Sequence, residues 1–150
     1  MENVLTLADS VYDDPQGGGD ELLPAVPYLL RDSDGRPYLV GTKCGLCGEI
    51  LLGTPTVCSC CGGREVMERI VLSETGRLYN FTTVHRSMPG VDVPFVFAVV
   101  DLDGGGVING NLEIDNGQIA FDMPVRMKFR KASKADALGR SYLSYYFVKA

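Results

Sequence analysis

All five cysteines of this 150-residue chain lie in the short stretch from residue 44 to residue 61. They include two pairs with C-x-x-C spacing, separated by residues 48–57, and a glycine follows each pair directly. Two such knuckles that meet across a hairpin place four thiolates at the corners of a tetrahedron, which is the geometry of closed structural zinc sites. The sequence therefore predicts a structural zinc ion with four protein ligands, Cys44, Cys47, Cys58 and Cys61.

Two other uses of these thiols stay open. Iron held by the four sulfurs would make an electron carrier similar to rubredoxin, although the short spacing between the pairs and the strands that follow favour zinc. Cys60 is left over as a free thiol, and a catalytic cysteine needs a histidine partner. His85 is the only histidine, and a structural histidine near a barrel rim is its commoner role. A Cys60–His85 catalytic pair is therefore the weaker hypothesis.

The N-terminal residues predict a short amphipathic helix over residues 1–14. Apolar residues recur at helical spacing between Val4 and Tyr12, and the segment DDPQGGGD that follows ends the helix with a flexible linker. A helix of this length is marginal in water when it is isolated. Its apolar stripe is expected to lie against this domain or against another chain, and both alternatives remain open.

The rest of the chain is predicted to be β-structure. Residues 28–40, YLLRDSDGRPYLV, favour a hairpin around an Asp-Gly turn, and short apolar segments with glycines at the bends then predict a closed or nearly closed barrel of five or six strands. We expect a mostly β chain in three parts: helix and linker over residues 1–20, hairpin and zinc ribbon over 21–66, and barrel over 67–150.

The segment VRMKFRK near the C-terminus alternates strictly between basic and apolar residues. In a strand, Arg126, Lys128 and Arg130 point to one face and Met127 and Phe129 to the other. The basic residues here could form a local anion site, although such a run is more often a solvated face.

Composition limits the function classes. The net charge is −5 and the isoelectric point is near 4.8, whereas nucleic-acid binders are usually basic. The N-terminus lacks the basic region of a signal peptide, and there is no apolar run of the about 18 residues that a membrane span needs. We expect a cytoplasmic protein whose clustered cysteines bind metal instead of forming disulfides.

The order of these segments resembles the family long catalogued as a domain of unknown function, DUF35, over residues 36–131. The resemblance rests on the knuckle at residues 44–48, on GRLYNFTTVH, on PFVFAVVDLDGGGVINGNL and on DMPVRMKFR. It implies a rubredoxin-like zinc ribbon followed by an OB-fold barrel, with the same four zinc ligands. Two features depart from the family pattern: a PFWEG-like motif is missing, and CSCC replaces the usual CPxC.

Members of this family act as small non-catalytic subunits of thiolase-type or other acyl-CoA enzymes. The resemblance thus implies a thiolase-like catalytic partner, with acyl-CoA as the small molecule of the complex and no catalysis by this chain alone. Cations for the phosphates of CoA would come from Arg126, Lys128, Arg130 and Lys131, with Lys134 as a further candidate, and Tyr142, Tyr145 and Tyr146 could provide a stacking face. The alternative hypothesis is a module that binds single-stranded nucleic acid, a common role of OB barrels and zinc ribbons.

Overall fold

The computed structural model describes residues 22–150, so the helix predicted over residues 1–14 lies outside the described residues. Within this part the chain is almost entirely β-structure, with one short 3-10 turn at Asn116–Gln118 and no helix long and apolar enough to cross a membrane. The strands are β1 (Leu23–Pro24), β2 (Leu29–Arg31), β3 (Pro37–Cys44), β4 (Ile50–Leu52), β5 (Met67–Val71), β6 (Thr75–Val84), β7 (Phe95–Leu102), β8 (Val107–Leu112), β9 (Pro124–Lys131) and β10 (Tyr142–Lys149).

Five strands close into a barrel in the order β6-β7-β8-β10-β9, and β9 returns to pair with β6. All neighbouring pairs are antiparallel except β8 and β10, which run parallel. This order, with a single parallel pair between the third and fifth strands, is the arrangement of an OB-type barrel. The prediction of a mostly β chain with a small closed barrel is therefore confirmed for the described residues.

A four-stranded sheet precedes the barrel and carries the cysteines. The predicted hairpin is present, because β2 and β3 pair antiparallel with Leu29 opposite Leu39. The carboxylate of Asp32 accepts hydrogen bonds from the N–H groups of Asp34 and Arg36, which fixes the tight turn between the two strands. β4 and β5 then pair with the second half of β3.

Two strands lie in a different sheet from the one that the predicted domain boundary would give them. β5 begins at Met67, yet it pairs with β3 in the four-stranded sheet, and β1 adds to the barrel beside β10. The boundary between residues 66 and 67 stays a prediction.

One hydrophobic core serves both sheets. Leu29 and Leu39 of the four-stranded sheet are each 2% exposed, and they share a cluster of buried residues with Leu78, Val100 and Phe147 of the barrel. Burial of a large apolar side chain contributes about 1.5–3 kcal/mol. The ribbon is therefore held on the barrel by ordinary packing as well as by the covalent chain.

The predicted alternation along β9 is also confirmed. Met127 is buried and Phe129 is half-buried, whereas the side chains of Arg126, Lys128 and Arg130 are exposed. We call these three outward residues of β9 the cation strip.

Candidate metal centre

The first knuckle is the turn that joins β3 to β4. The N–H of Cys44 donates to the carbonyl of Glu49 over 2.8 Å, and the N–H of Gly48 donates back to the carbonyl of Cys44 over 2.8 Å. Gly48 has a φ of 78°, a left-handed conformation that a residue with a side chain rarely adopts. The glycine after the C-x-x-C pair is therefore required by the turn.

The second knuckle repeats this geometry just before β5. The N–H of Cys58 donates to the carbonyl of Gly63 over 2.8 Å, the N–H of Gly62 donates to the carbonyl of Cys58 over 2.9 Å, and Gly62 has a φ of 75°. The N–H of Gly63 also donates to Sγ of Cys61 over 3.4 Å. Both C-x-x-C-G segments thus use the same local backbone conformation to turn two thiols toward one point.

The four predicted ligands come together in space. Their Sγ atoms all lie within 4.8 Å of one another, with 3.7 Å between Cys44 and Cys61 and 3.6 Å between Cys47 and Cys58. A disulfide has its sulfurs about 2.05 Å apart, so none of these contacts is a bond. Zinc–sulfur bonds of about 2.3 Å in a tetrahedron place the sulfurs about 3.8 Å apart. The cluster therefore has the dimensions of a tetrahedral four-cysteine site and could hold a metal ion such as zinc.

The surroundings of the thiols shift their pKa values in opposite directions. The backbone N–H groups of Cys47 and Leu46 face Sγ of Cys44 and lower its pKa to about 7. The N–H of Glu49 acts in the same sense on Cys47, but loss of solvent and the neighbouring thiols outweigh it and raise the pKa of Cys47 to about 12. Opposite pKa shifts of this kind are expected when thiols lie so close together that ionisation of one disfavours ionisation of the next.

The remaining thiol and the histidine lie outside this cluster. Cys60 is exposed and is not among the four residues whose sulfurs converge. His85 directly follows β6 and is exposed. Within residues 22–150 no hydrogen bond or ion pair connects His85 to Cys60, so the described structure gives no support to a catalytic pair.

The members of the cation strip differ in their partners. Arg130 forms an ion pair with Glu113, and its guanidinium lies 4.0 Å from the centre of the Tyr146 ring. Arg126 and Lys128 are exposed and take part in no ion pair among the described residues. Lys131 ends β9 and is exposed too. Lys134 belongs to the next loop, where it pairs with Asp92 over 2.9 Å.

The three candidate tyrosines do not form one stacking face. The Tyr145 hydroxyl donates to the carbonyl of Asn109 over 2.7 Å, and its ring packs edge-on against Phe147, so burial raises the pKa of Tyr145. Tyr142 donates its hydroxyl to Asp136 over 2.8 Å. Tyr146 lies on the same face of the sheet as the cation strip of β9, because it is directly opposite Lys128.

A cleft of about 270 Å³ opens at the ends of β7 and β8. Tyr146 of β10 lies between this cleft and the cation strip. It is paired with Lys128 of β9 at one edge of β10 and with Asn111 of β8, which lines the cleft, at the other edge. Sequence reasoning did not find this cleft or the partner Glu113, because both depend on the pairing of distant strands. The cleft is lined by Thr83, Pro94, Phe95, Val96, Asn111, Leu112, Glu113 and Asn116.

An OB-type barrel preceded by a four-cysteine ribbon defines the structural class of this chain. Residues 70–130 match the family model described as ChsH2, C-terminal OB-fold domain. The solved structure titled Ltp2-ChsH2(DUF35) aldolase has the same fold over 75% of this chain and 84% of its own, with a TM-score of 0.58 and 24% identity.

Curated relatives agree with that class. The benzoylsuccinyl-CoA thiolase subunit BbsA of Thauera aromatica is 34% identical over 103 residues, which cover 67% of this chain and 71% of the relative. A DUF35 domain-containing scaffold protein of Methanocaldococcus jannaschii is 27% identical over 118 residues, covering 71% of this chain and 84% of the relative. The chain belongs to the DUF35 family.

Proposed function

We propose that this chain is a non-catalytic, zinc-binding accessory subunit of a complex that processes acyl-CoA thioesters, with a thiolase-type catalytic subunit as its partner. The observation that carries this proposal is its similarity to the thiolase subunit of Thauera aromatica over 67% of its length. The four converging thiols of the described chain support the metal-binding part of this proposal.

The metal in this proposal is structural zinc. Four protein sulfurs occupy all four coordination positions of a tetrahedral zinc ion. A zinc there has no position for a water molecule and cannot generate a hydroxide nucleophile. The metal would join the β3–β4 turn to the segment before β5, two parts of the chain that also meet through the hydrogen bond that the N–H of Gly45 donates to the carbonyl of Val66. Its role is to hold the ribbon in one shape for the partner, in a reducing compartment such as the cytoplasm.

The cation strip is the proposed contact for the phosphates of CoA. Of the four basic residues predicted for this role, Arg130 is already paired with Glu113, whereas Arg126, Lys128 and Lys131 form no ion pair within the described residues. Arg126 and Lys128 would carry most of the attraction to phosphate, with Lys131 at the end of the strand. The cleft beside Asn111 lies one strand away and offers room for another part of the cofactor.

The accessory role is tested by purifying the tagged chain under mild conditions from its native host. We expect a thiolase-type subunit in fixed stoichiometry with a zinc-loaded chain, and thiolysis of acyl-CoA that is lost when the two are separated and regained when they are recombined. A zinc-loaded chain that purifies without a partner, or a catalytic subunit that is fully active alone, would overturn the proposal.

The CoA contact is tested separately, by calorimetric titration of CoA into the assembled complex. The variant R126Q/K128Q is expected to bind CoA several-fold more weakly than the natural chain, because two uncompensated charges are lost. The matched control is K43Q, which removes an exposed lysine from β3 in the other sheet and should leave affinity unchanged. Equal affinity for CoA in all three complexes would show that the cation strip is not part of the CoA site. It would not contradict the accessory role.

A further inference from the structure

The outer face of β7 is apolar and aromatic. Phe95, Phe97 and Val99 point outward, because they alternate along the strand with residues that are buried inside the barrel. These three side chains are half-buried, and within residues 22–150 they are not among the side chains that pack on the buried core. The outer face of an antiparallel sheet is usually polar where it meets water. Its composition on β7 therefore indicates a surface that receives a ligand.

The next strand continues this face with a carboxamide. Asn111 of β8 is paired with Phe97 of β7 at one edge of its strand and with Tyr146 of β10 at the other edge. Neighbouring strands lie about 4.8 Å apart, and directly paired residues project from the same face. The carboxamide of Asn111 thus stands between two aromatic residues.

The same row of residues ends in the cation strip. Tyr146 is also paired with Lys128 of β9, so two strand spacings of about 4.8 Å place Lys128 about 10 Å from Asn111. The guanidinium of Arg130 lies 4.0 Å from the centre of the Tyr146 ring and adds a second cation beside the row. One row across four neighbouring strands therefore carries, in order, an aromatic ring, a carboxamide, an aromatic ring and a cation.

The cleft at the ends of β7 and β8 is continuous with this face, because Phe95 and Asn111 belong to both. Asn116 and Thr83 add a second carboxamide and a hydroxyl group to its lining. Its volume of about 270 Å³ lies just below the range of about 300–1,000 Å³ that is typical of sites for whole small molecules. The cleft therefore suits one ring system of a ligand whose remainder extends along the outer face.

These groups match the chemistry of an adenine nucleotide. Adenine presents a donor and an acceptor side by side on one edge, and an asparagine carboxamide pairs with both. The flat face of a base stacks on an aromatic ring, and its phosphates attract cations. OB-type barrels commonly bind oligonucleotides on the face of their second and third strands, which here are β7 and β8. The small cleft and the net charge of −5 favour a single nucleotide over a nucleic-acid strand.

We propose that the cleft binds the adenine ring of CoA, with Asn111 at the edge of the base, Phe95 against its flat face and Lys128 at its phosphates. This inference rests on the proposed function, because CoA is the small molecule of the complex proposed there. It also assigns the two ends of the molecule. The nucleotide end lies on this chain, and the thioester end is left for the catalytic subunit.

The test is an NMR titration of adenosine 3′,5′-bisphosphate, the nucleotide half of CoA, into the full-length, zinc-loaded, 15N-labelled chain. We expect the side-chain NH2 signals of Asn111 and the backbone signals of Phe95 and Lys128 to move until they saturate. Phosphopantetheine, the other half of CoA, should leave them in place at the same concentration. Signals that move only with phosphopantetheine, or with neither half, would overturn the proposal. Because no partner is needed, this result and the test of the accessory role are separate observations.

Asn109 supplies a matched control for Asn111. Both residues are exposed on the outer face of β8, two positions apart, and Asn109 is not part of the cleft lining. N111A is expected to bind the nucleotide several-fold more weakly while its affinity for inorganic phosphate stays unchanged. N109A should bind both as the natural chain does, since the Tyr145 hydroxyl contacts only the backbone carbonyl of Asn109.

Two results with these variants and ligands would contradict the adenine assignment. Equal affinity of N111A and N109A for the nucleotide would show that the carboxamide of Asn111 does not contact the base. A single-stranded oligonucleotide that moves the same signals and binds more tightly than the nucleotide would identify the face as a nucleic-acid site instead.

Discussion

Among single residues, Cys60 and Cys61 show how one position decides between a ligand and a spare thiol. They are adjacent in the sequence, yet only Cys61 belongs to the group of four converging sulfurs. The reason lies in the turn, because the hydrogen bonds of Cys58 with Gly62 and Gly63 complete a knuckle that needs two residues between its thiols. C-x-C spacing from Cys58 to Cys60 is one residue too short for this turn.

We expect Cys44→Ala to lose bound metal and most of the stability of the ribbon. Cys44 is 1% exposed and supplies one of the four sulfurs, and metal binding in structural zinc sites is worth about 10 kcal/mol or more of folding free energy. Zinc content by elemental analysis and the melting temperature measured on the same sample check this outcome.

Cys60→Ala is the matched control for that variant. It removes an exposed sulfur of the same segment, so zinc content and melting temperature should both stay at the natural values. A Cys44→Ala protein with full zinc content, or a Cys60→Ala protein without zinc, would contradict the ligand assignment.

Among the connecting elements, the loop from β9 to β10 is organised by one carboxylate. Asp136 accepts hydrogen bonds from the N–H groups of Leu138 and Arg140, from Nε of Arg140 at 2.6 Å and from the Tyr142 hydroxyl at 2.8 Å. The backbone N–H of Arg140 is the largest cause among those that lower the pKa of Asp136 to about 2. The loop beside β1 is thus ordered by bonds to an ionised group.

The order of this loop should depend on pH in one direction. Because the pKa of Asp136 in the folded chain is about 2, below its ordinary value of 3.8, the folded state holds fewer protons than the unfolded state between these values. The stabilisation is complete above about pH 4 and is lost as the pH falls through about 2. A pH titration of the Leu138 and Arg140 amide NMR signals should follow this loss.

Asp136→Asn should remove that pH dependence while keeping an oxygen that accepts the two backbone N–H groups. Asp115→Asn serves as the control, because Asp115 precedes the 3-10 turn without a side-chain capping hydrogen bond. A titration of Asp136→Asn that is identical to that of the natural chain would show that another group orders the loop.

In the molecule as a whole, the shared core makes the ribbon and the barrel depend on each other. Leu29, Leu39 and Leu72 of the ribbon side are in the same buried cluster as Leu78 and Phe147 of the barrel. Unfolding of the small sheet would expose the apolar surface on both sides of this contact, so each sheet raises the free energy of unfolding of the other.

We therefore expect a single heat-absorption peak when the zinc-loaded chain is unfolded in a calorimeter, and a single peak at lower temperature after zinc is removed with a chelator. The calorimetric enthalpy should equal the van't Hoff enthalpy in the loaded protein. Two resolved peaks, with only the lower one moved by the chelator, would mean that the sheets unfold separately.

Features that depend on short-range geometry could be predicted from the amino-acid sequence alone. The ligand set follows from C-x-x-C-G, since each knuckle closes through hydrogen bonds within six residues, from Cys44 to Glu49 and from Cys58 to Gly63. The β2–β3 hairpin follows from its Asp-Gly turn, and the outward face of β9 follows from the alternation of residues in a strand.

Which distant segments meet could be learned only from the folded chain. β5 joins β3 and β1 joins β10, and the apolar patterns of these strands are compatible with either sheet. The pairing of Arg130 with Glu113 depends on how β8, β9 and β10 lie side by side, and so does the position of Tyr145 against Phe147. The alternation of apolar and polar residues determines which side chains of a strand face inward. The free energy that selects the neighbouring strand comes from contacts across the whole core, so it cannot be read from a short segment.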